Sequence, residues 1–213
     1  CSESEYGAMP DWDVSNVTDM SYAFYDRADF NSDISAWDVS SVYDMQSMFR
    51  DSNDGAIGNT FNQPIGSWDV SSVTNMESMF FNAFNFNQPI GNWDVSNVTN
   101  MYRMFLRSYD FNQEISSWDV SNVTNMSNMF YEAYSFNQDL SSWCVTNITS
   151  EPTDFSTYAP LTDSNKPVWG TCPSLGVDHL NQLEISIYPN PTSKILNIDG
   201  LVVKDVVINS VLG

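Results

Sequence analysis

Tryptophan recurs at nearly constant intervals along most of this chain. Six indoles are separated by 25, 31, 25, 25 and 25 residues (Trp12, Trp37, Trp68, Trp93, Trp118 and Trp143). A fixed period of this size is typical of a solenoid, in which one unit cannot bury its apolar side chains alone and packs them against the next unit. The one longer interval contains extra residues between Asp51 and Thr60. We therefore expect six stacked coils, with an insertion in a loop of one of them.

Each unit follows the pattern W-D-V-S-x-V-T-x-M-x-x-M-F, then a short variable stretch, then F-N-Q-x-I. The apolar residues around the indole are spaced as in a short strand (Ile115, Trp118 and Val120). The next apolar residues have helical spacing, which predicts one buried helix stripe (Val123, Met126, Met129, Phe130 and Ala133). Ser121 precedes this stripe and is a suitable N-cap. The predicted fold class is an α/β repeat, a leucine-rich-repeat-like solenoid with a short parallel strand and a short helix in each coil.

An asparagine follows the second phenylalanine of the pattern in five units (Asn31, Asn62, Asn87, Asn112 and Asn137). Its side-chain amide can hydrogen-bond the backbone of the neighbouring turn. We interpret this row as a structural ladder between successive coils.

These repeats resemble the BspA-like leucine-rich repeats of bacterial surface proteins. The resemblance covers Pro10 to about Cys172, and W-D-V-S-x-V-T-x-M recurs almost unchanged within that range. It implies a cell-surface protein with an adhesive role, and it names no ligand.

The sixth unit departs from the pattern. Cys144 replaces the aspartate that follows tryptophan, Pro152 interrupts the apolar stripe, and no F-N-Q follows. We expect a C-terminal cap over 143–172, closed by a disulfide between Cys144 and Cys172 that stabilises the fold by about 3.6 kcal/mol on a chain-entropy estimate. Cys1 is then left over, either as the lipid-bearing residue of a lipoprotein or because its partner lies in an upstream segment. We favour the second explanation.

The sequence changes character after residue 172. Residues 173–183 contain Gly, Pro and the single histidine, which is typical of a linker. Residues 184–213 then have strand-like apolar runs around a turn at Y-P-N-P (Tyr188, Pro189, Asn190 and Pro191). The stretch I-S-I-Y-P-N-P-T-S-K-I-L-N-I resembles the opening of the C-terminal sorting domain of the type IX secretion system of Bacteroidota. That resemblance implies an incomplete β-sandwich sorting domain and export by the type IX secretion machinery.

The composition disfavours several functional classes. The formal net charge is −20, from 27 acidic and 7 basic residues, which argues against nucleic acid and anionic membranes as partners. The sequence contains no apolar run of about 18 residues that could form a transmembrane segment. It lacks the nucleophile-elbow, phosphate-loop and zinc-protease motifs, and its one histidine, His179, stands in the linker. We therefore expect neither an enzyme activity nor a cofactor.

An aspartate follows tryptophan in five units, and a serine follows two places later (Asp13, Asp38, Asp69, Asp94 and Asp119, with Ser15, Ser40, Ser71, Ser96 and Ser121). Stacked coils would bring these carboxylates about 4.8 Å apart, where like charges repel. Solvation or hydrogen bonds from the serines can relieve this repulsion, and we favour the hydrogen bonds. Bridging calcium ions are the alternative, with the last four aspartates as candidate ligands. The insertion at Asp51 to Gly55 lacks a full calcium-ligand set.

The positions that vary between units are the candidates for partner binding. Two such rows lie eight and eleven residues after the valine of V-T-x-M (Tyr25, Arg50, Phe81, Leu106 and Tyr131, then Ala28, Asn53, Phe84, Tyr109 and Tyr134). We expect their apolar members to form an exposed stripe that binds a protein or a glycan. The alternative is that these side chains lean over adjacent coils and extend the core.

Taken together, the sequence predicts a non-enzymatic protein that is secreted or attached to the outer membrane at the surface of a Gram-negative bacterium. Its predicted organisation is a repeat solenoid over 1–172, a linker over 173–183 and a truncated sorting domain over 184–213. The alternative is an architectural spacer, or a calcium-stabilised segment, of a larger protein whose functional domain lies upstream.

Overall fold

A computed structural model describes residues 9–53 and 58–173. These residues belong to the first of two compact units, Cys1–Ser174; the second unit is Leu175–Gly213. The predicted sorting domain over 184–213 and nearly all of the predicted linker lie outside the described residues.

Successive repeats stack on one another through their backbones. Within each interior coil, alternate amides donate to carbonyls of the following coil: Met101, Arg103 and Phe105 each donate to the residue 24 positions further along, at 2.9–3.0 Å. Isolated parallel bridges mark the same stacking at one position of each coil, joining Asp19 to Asp44 and continuing through Asn75 and Asn100 to Asn125. The repeat period therefore sets the hydrogen-bonding register.

The coils contain almost no regular secondary structure, so the predicted α/β repeat with a strand and a helix per coil is wrong. The regular elements of the described residues are two short 3-10 helices, Met9–Asp11 and Asp163–Asn165. The remaining backbone is formed by turns and extended connections, and the parallel bridges do not lengthen into strands.

Consecutive turns replace the predicted helix. The amides of Met104, Leu106 and Ser108 each donate to the carbonyl three residues earlier, at 3.1–3.2 Å. Between these bonds, Arg103 and Arg107 both have a φ of +56°, in the left-handed region that ends a right-handed helix. A run of overlapping four-residue turns also brings side chains to one face every three or four positions, so the apolar spacing fits the turns as well as it fits a helix.

A turn also occupies the predicted strand. The amide of Trp118 donates to the carbonyl of Ile115 at 3.1 Å, and the amide of Val123 donates to that of Val120 at 3.0 Å. Ser121, the predicted helix N-cap, instead donates its amide to the carboxylate of Asp119 at 3.0 Å. The chain thus turns at points where a strand would stay extended.

The core consists of columns of identical side chains. The two phenylalanines of each interior coil stack with ring centroids 3.9–4.0 Å apart, as in Phe105 and Phe111. Phe105 also stacks on Phe130 of the next coil at 5.6 Å. Beside them, the indole Nε1–H of Trp118 donates to the carbonyl of Ile90 in the preceding coil at 3.1 Å. Burial of each large apolar side chain stabilises the stack by about 1.5–3 kcal/mol.

The asparagine ladder predicted from F-N-Q is confirmed. Oδ1 of Asn112 accepts the amide of Asn137 at 3.0 Å, and the same bond joins the other successive members of the row. The glutamine that follows adds a second bond, with Nε2 of Gln138 donating to Oδ1 of Asn112 at 2.8 Å. Each coil is therefore bonded to the next by side chains as well as by backbone.

The sixth unit forms a distinct end to the stack. The amide of Leu140 donates to the carbonyl of Asn165, and that of Val145 to Thr171, both at 2.8 Å. A disulfide joins Cys144 to Cys172, the pair suggested by the sequence, and closes a segment of 28 residues. These bonds fold the segment after Pro152 back over the last coil. The described residues contain no helix long and apolar enough to cross a membrane.

Candidate partner-binding surface

The second variable row forms a stack of rings, here called the aromatic ladder (Phe84, Tyr109 and Tyr134). Phe84 and Tyr109 stack with centroids 4.2 Å apart, and Tyr109 and Tyr134 with centroids 4.9 Å apart. Burial raises the pKa of the Tyr109 phenol above its ordinary value. Tyr134, in contrast, keeps 53% of its surface exposed.

The inner end of the aromatic ladder packs against the insertion. A side chain placed on Gly58 would collide with the ring of Phe84. Glycine therefore allows this ring to pack closely against the insertion. Phe84 extends the packing of adjacent coils, whereas Tyr134 is exposed to solvent.

The first variable row is mostly covered. Phe81 and Leu106 are only 8% and 7% exposed, while Tyr25 and Tyr131 are half-buried. The guanidinium of Arg50 lies 4.5 Å from the ring centroid of Phe81 and 5.7 Å from that of Tyr25. This row accordingly combines buried apolar side chains with a cation held between two rings.

A cavity of about 300 Å³ opens beside this row. Apolar side chains and two arginines line most of it, and polar side chains complete the lining (Phe81, Leu106, Tyr131, Arg103, Arg107, Asn128 and Asp154). Nε of Arg107 is 2.7 Å from Oε2 of Glu132. Arg103 and Arg107 were not among the residues predicted from the sequence to contact a partner. Their rarity could have singled them out, because only four arginines occur in the whole chain.

The aspartate row is hydrogen-bonded within each coil. Oδ1 of Asp38 accepts the amide of Ser40 at 3.1 Å and its hydroxyl at 2.6 Å. The serine two places later makes the amide bond in all five units, at 3.0–3.1 Å. Bonds from the serine hydroxyl and then from its amide lower the pKa of Asp13, Asp38 and Asp94 below the ordinary value.

The calcium candidates are therefore placed as single carboxylates, each bonded to its own serine (Asp38, Asp69, Asp94 and Asp119). Over 9–53 and 58–173, no group of three or more His, Cys, Asp or Glu side chains is arranged to hold a metal ion. In the insertion, Asp51 accepts bonds from Asn53 at 2.8–2.9 Å, and Ser52 donates to Asp26 at 2.6–2.8 Å. The remaining sequence candidates lie outside the described residues (Cys1, His179, Tyr188, Pro189, Asn190 and Pro191).

A stack of turn-built coils, bonded in register and closed by a disulfide, defines a repeat protein whose variable positions lie in rows. The family described as "Mycoplasma protein of unknown function, DUF285" matches residues 2–90 and 54–167, and the chain belongs to this family. The family is related to the BspA-like surface repeat proteins. No curated protein and no solved structure matches the chain. Family membership and the disulfide together indicate an extracellular surface repeat protein.

Proposed function

We propose that this chain is a non-enzymatic adhesion or protein-interaction module that contacts its partner through the exposed end of the aromatic ladder. The observation that carries this proposal is the exposure of Tyr134 at the end of a row whose other rings pack on their neighbours. A tyrosine ring held in place by stacking loses little conformational entropy on binding, and tyrosine is enriched among the residues that dominate binding energy.

The repeat constrains where a partner can bind. The residues that recur in every unit form the apolar columns and the hydrogen-bonded rows, so they are engaged within the stack. The variable rows differ from coil to coil and can therefore carry specificity. The same recurrence disfavours catalysis, because a reaction centre does not require a copy of its residues in each of five coils.

The test is to measure binding of the purified chain to a panel of immobilised host matrix proteins and cell-wall glycans. We expect Tyr134→Ala to abolish binding to the panel member that the wild-type chain retains. The matched control is Tyr43→Ala, because Tyr43 is similarly exposed but lies outside the aromatic ladder and both variable rows. Equal losses in both variants, or no retained panel member, would contradict the proposal.

Export by the type IX secretion system is proposed for the same protein, supported by the Y-P-N-P stretch at Tyr188–Pro191. Expression in a Bacteroidota strain of the chain with its sorting domain completed by fusion, followed by protease treatment of intact cells, tests this point. We expect this protein to be accessible at the surface, and to be retained inside when the segment from residue 184 onwards is deleted. Surface accessibility of the deleted form would rule out this export route.

An architectural spacer is the second candidate function. It is favoured by the stacking of Phe84 on Tyr109, which uses ring faces for packing between coils. A spacer would retain no member of the panel, and deletion of one whole unit would shorten it while the remaining coils kept their stacking. The two candidates therefore differ in a direct binding measurement.

A further inference from the structure

The outer face of the first coil, residues 12–36, has no coil stacked on it among the described residues. In the second coil, four carbonyls accept amides of the first coil at 2.8–2.9 Å (Asp44, Gln46, Met48 and Arg50). The equivalent carbonyls of the first coil accept no hydrogen bond from the part of the chain that the structure describes (Asp19, Ser21, Ala23 and Tyr25). The first coil therefore presents a row of open acceptors.

Open donors lie in the same coil. In interior coils, the threonine of V-T-x-M and the asparagine two places before it donate to carbonyls of the preceding coil, and each ladder asparagine donates its amide to the preceding Oδ1. The equivalent donors of the first coil have no acceptor within 9–53 and 58–173 (the amides of Thr18 and Asn31, and Nδ2 of Asn16). These three residues are exposed. Together with the open acceptors they form the end face (Asn16, Thr18, Asp19, Ser21, Ala23, Tyr25 and Asn31).

The apolar columns are less covered in the first coil than in the interior. Trp12 is 40% exposed, whereas Trp93 is 3% exposed. Val17 is half-buried, but the equivalent valines of the next four coils are fully buried (Val42, Val73, Val98 and Val123). The first coil therefore leaves apolar surface open at the end of the stack.

Two grooves of about 340 and 440 Å³ connect this apolar surface with the end face. Trp12, Ala23 and Phe24 line both grooves. Asp19 lines the smaller groove and Asn31 the larger one. The next four coils have methionine at the position of Ala23, so a smaller side chain leaves more room here.

The complement of the end face occurs at every junction between interior coils. Met101, Arg103 and Phe105 donate their amides to the following coil, at positions equivalent to Asp19, Ser21 and Ala23. Placed before the first coil, the same unit would supply an amide to each open carbonyl, and it would continue the aromatic columns. A coil of this repeat pattern is therefore the occupant that fits.

A second copy of this chain does not offer such a coil. The matching row of amides lies on the other side of a coil, and the cap covers that side at the end of the stack. The amides of Asn128 and Phe130 donate to Thr153 and Phe155 of the cap, both at 2.8 Å. The partner must therefore be a repeat chain in which this side is uncovered.

The residues directly before the first coil do not carry the repeat. In the third to sixth coils, F-N-Q stands seven to five places before the tryptophan, whereas Glu5, Tyr6 and Gly7 stand at those places before Trp12. The adjoining segment thus lacks the phenylalanine and asparagine that continue the columns and the ladder.

We propose that the end face docks a coil of the same repeat pattern that belongs to a separate chain. The docked coil donates its amides to Asp19, Ser21, Ala23 and Tyr25, and its apolar side chains enter the grooves beside Phe24. Docking at the end face goes beyond the proposed binding function and does not depend on Tyr134.

The experiment titrates the full chain with a synthetic peptide of residues 93–117, one complete interior unit. Calorimetry should show saturable binding of one peptide per chain. The matched peptide has methyl groups on the amide nitrogens of Met101, Arg103 and Phe105. It should bind about tenfold or more weakly, because three hydrogen bonds to the end face are lost.

Variants locate the peptide on the chain. Ala23→Glu should weaken binding by about tenfold or more, because docking would bury an unpaired carboxylate. Ala23→Met restores the residue of the interior coils and should bind at least as tightly as the wild type. The control is Val168→Glu, since Val168 is 67% exposed in the cap. A melting temperature close to that of the wild type shows that each variant is folded.

Docking at the end face would be overturned by any of three results: no binding of the unit peptide, equal affinity of the methylated peptide, or equal affinities of Ala23→Glu and Val168→Glu. Self-association of the full chain in analytical ultracentrifugation would assign the end face to a second copy instead. Tyr134→Ala should bind the unit peptide as the wild type does. Failure of docking would therefore leave panel binding at the aromatic ladder to be judged separately.

Discussion

The interior coils and the C-terminal cap bury the same kind of aromatic column by different means. Phe105 lies between Phe80 and Phe130, with nearly parallel rings and centroids 5.5 and 5.6 Å away. In the cap, Phe155 meets Phe130 edge-on at 5.4 Å, and Trp169 meets Phe155 edge-on at 5.0 Å. The parallel stack requires an identical ring on each side, whereas the edge-on contacts end the column.

The asparagine ladder ends at Asn137, and the cap contains cross-links between its own residues instead. The disulfide joins Cys144 to Cys172, and Nζ of Lys166 is 2.9 Å from Glu151 and 3.0 Å from Asp163. An interior coil is stabilised by two neighbours, but the last coil has one. The interior coils thus repeat the same ring stacks and backbone bonds, whereas the cap adds a disulfide and two ion pairs of Lys166.

The largest loss of stability should come from removing an aromatic ring of an interior coil. Phe105→Ala removes a fully buried side chain from the column, and we expect a loss of about 3–5 kcal/mol in the free energy of unfolding. Denaturant unfolding followed by tryptophan fluorescence measures this change, with Tyr43→Ala as an exposed control. A loss below about 1 kcal/mol would show that the stacked columns do not dominate stability.

The second-largest loss of stability should come from removing the disulfide of the cap. The double variant Cys144→Ser with Cys172→Ser should lose about 2–4 kcal/mol, since the closed segment restrains the unfolded chain. Hydrogen exchange should then show the segment after Pro152 opening before the interior coils. Uniform loss of protection along the whole stack would mean that the cap and the interior unfold as one unit.

The asparagine ladder should contribute less per residue. Asn112→Ala removes the acceptor for Asn137 and Gln138, and we expect a loss of about 1 kcal/mol. Asn16→Ala serves as the control, because Asn16 is exposed and outside the ladder. Equal melting temperatures for the two variants would show that the ladder fixes register without adding stability.

The ion pairs of the cap should have a small, pH-dependent effect. Hydrogen bonding to Glu151 raises the pKa of Lys166 above its ordinary value of 10.5. The stability that Lys166 contributes is therefore fully present below pH 10.5 and is lost as the pH rises through the raised pKa. Because Glu151 is substantially exposed, Lys166→Met should cost at most about 1 kcal/mol at pH 7. Thermal melts at pH 7 and 11 test this prediction. The melting temperature of Lys166→Met should depend less on pH than that of the wild type.

The smallest effect is expected at the aspartate row. Hydrogen bonds from the hydroxyl and then the amide of Ser40 lower the pKa of Asp38. The stability that Asp38 contributes is therefore present above the ordinary pKa of 3.8 and is lost as the pH falls through the lowered pKa. Melts between pH 6 and 2, comparing Asp38→Asn with wild type, measure this loss. A chelator at neutral pH should leave the melting temperature unchanged, and a marked fall would instead support bridging calcium.

The sequence patterns predicted which residues stack more accurately than they predicted the local backbone conformation. The indole spacing and the asparagine row specify which residues meet in neighbouring coils, because both depend only on the period. The helix prediction was wrong because the spacing of Val123, Met126 and Met129 fits a run of turns equally well. The left-handed φ of Arg103 has no counterpart in sequence preference, since arginine rarely adopts it.

The candidate site was only partly accessible to sequence reasoning. The variable rows pointed to Tyr134, which is exposed, and equally to Leu106, which is covered. The cavity depends on which side chains of three successive coils lean towards one another, as Phe81, Leu106 and Tyr131 do. That arrangement follows from packing between coils, and a pattern read along one unit does not contain it.

The alternate amides of Met101, Arg103 and Phe105 all donate forwards, to the coil that follows. Other amides donate backwards, as Thr124 does to the carbonyl of Thr99 at 2.9 Å, so each coil offers both donors and acceptors to each neighbour, and the amides that donate forwards alternate with residues that do not. Gain or loss of a complete repeat preserves this alternation, whereas removal of a single residue would exchange donors with non-donors along the row. A chain that gained or lost a whole unit would therefore keep its bonding register, and each added unit would bring another variable position to every row.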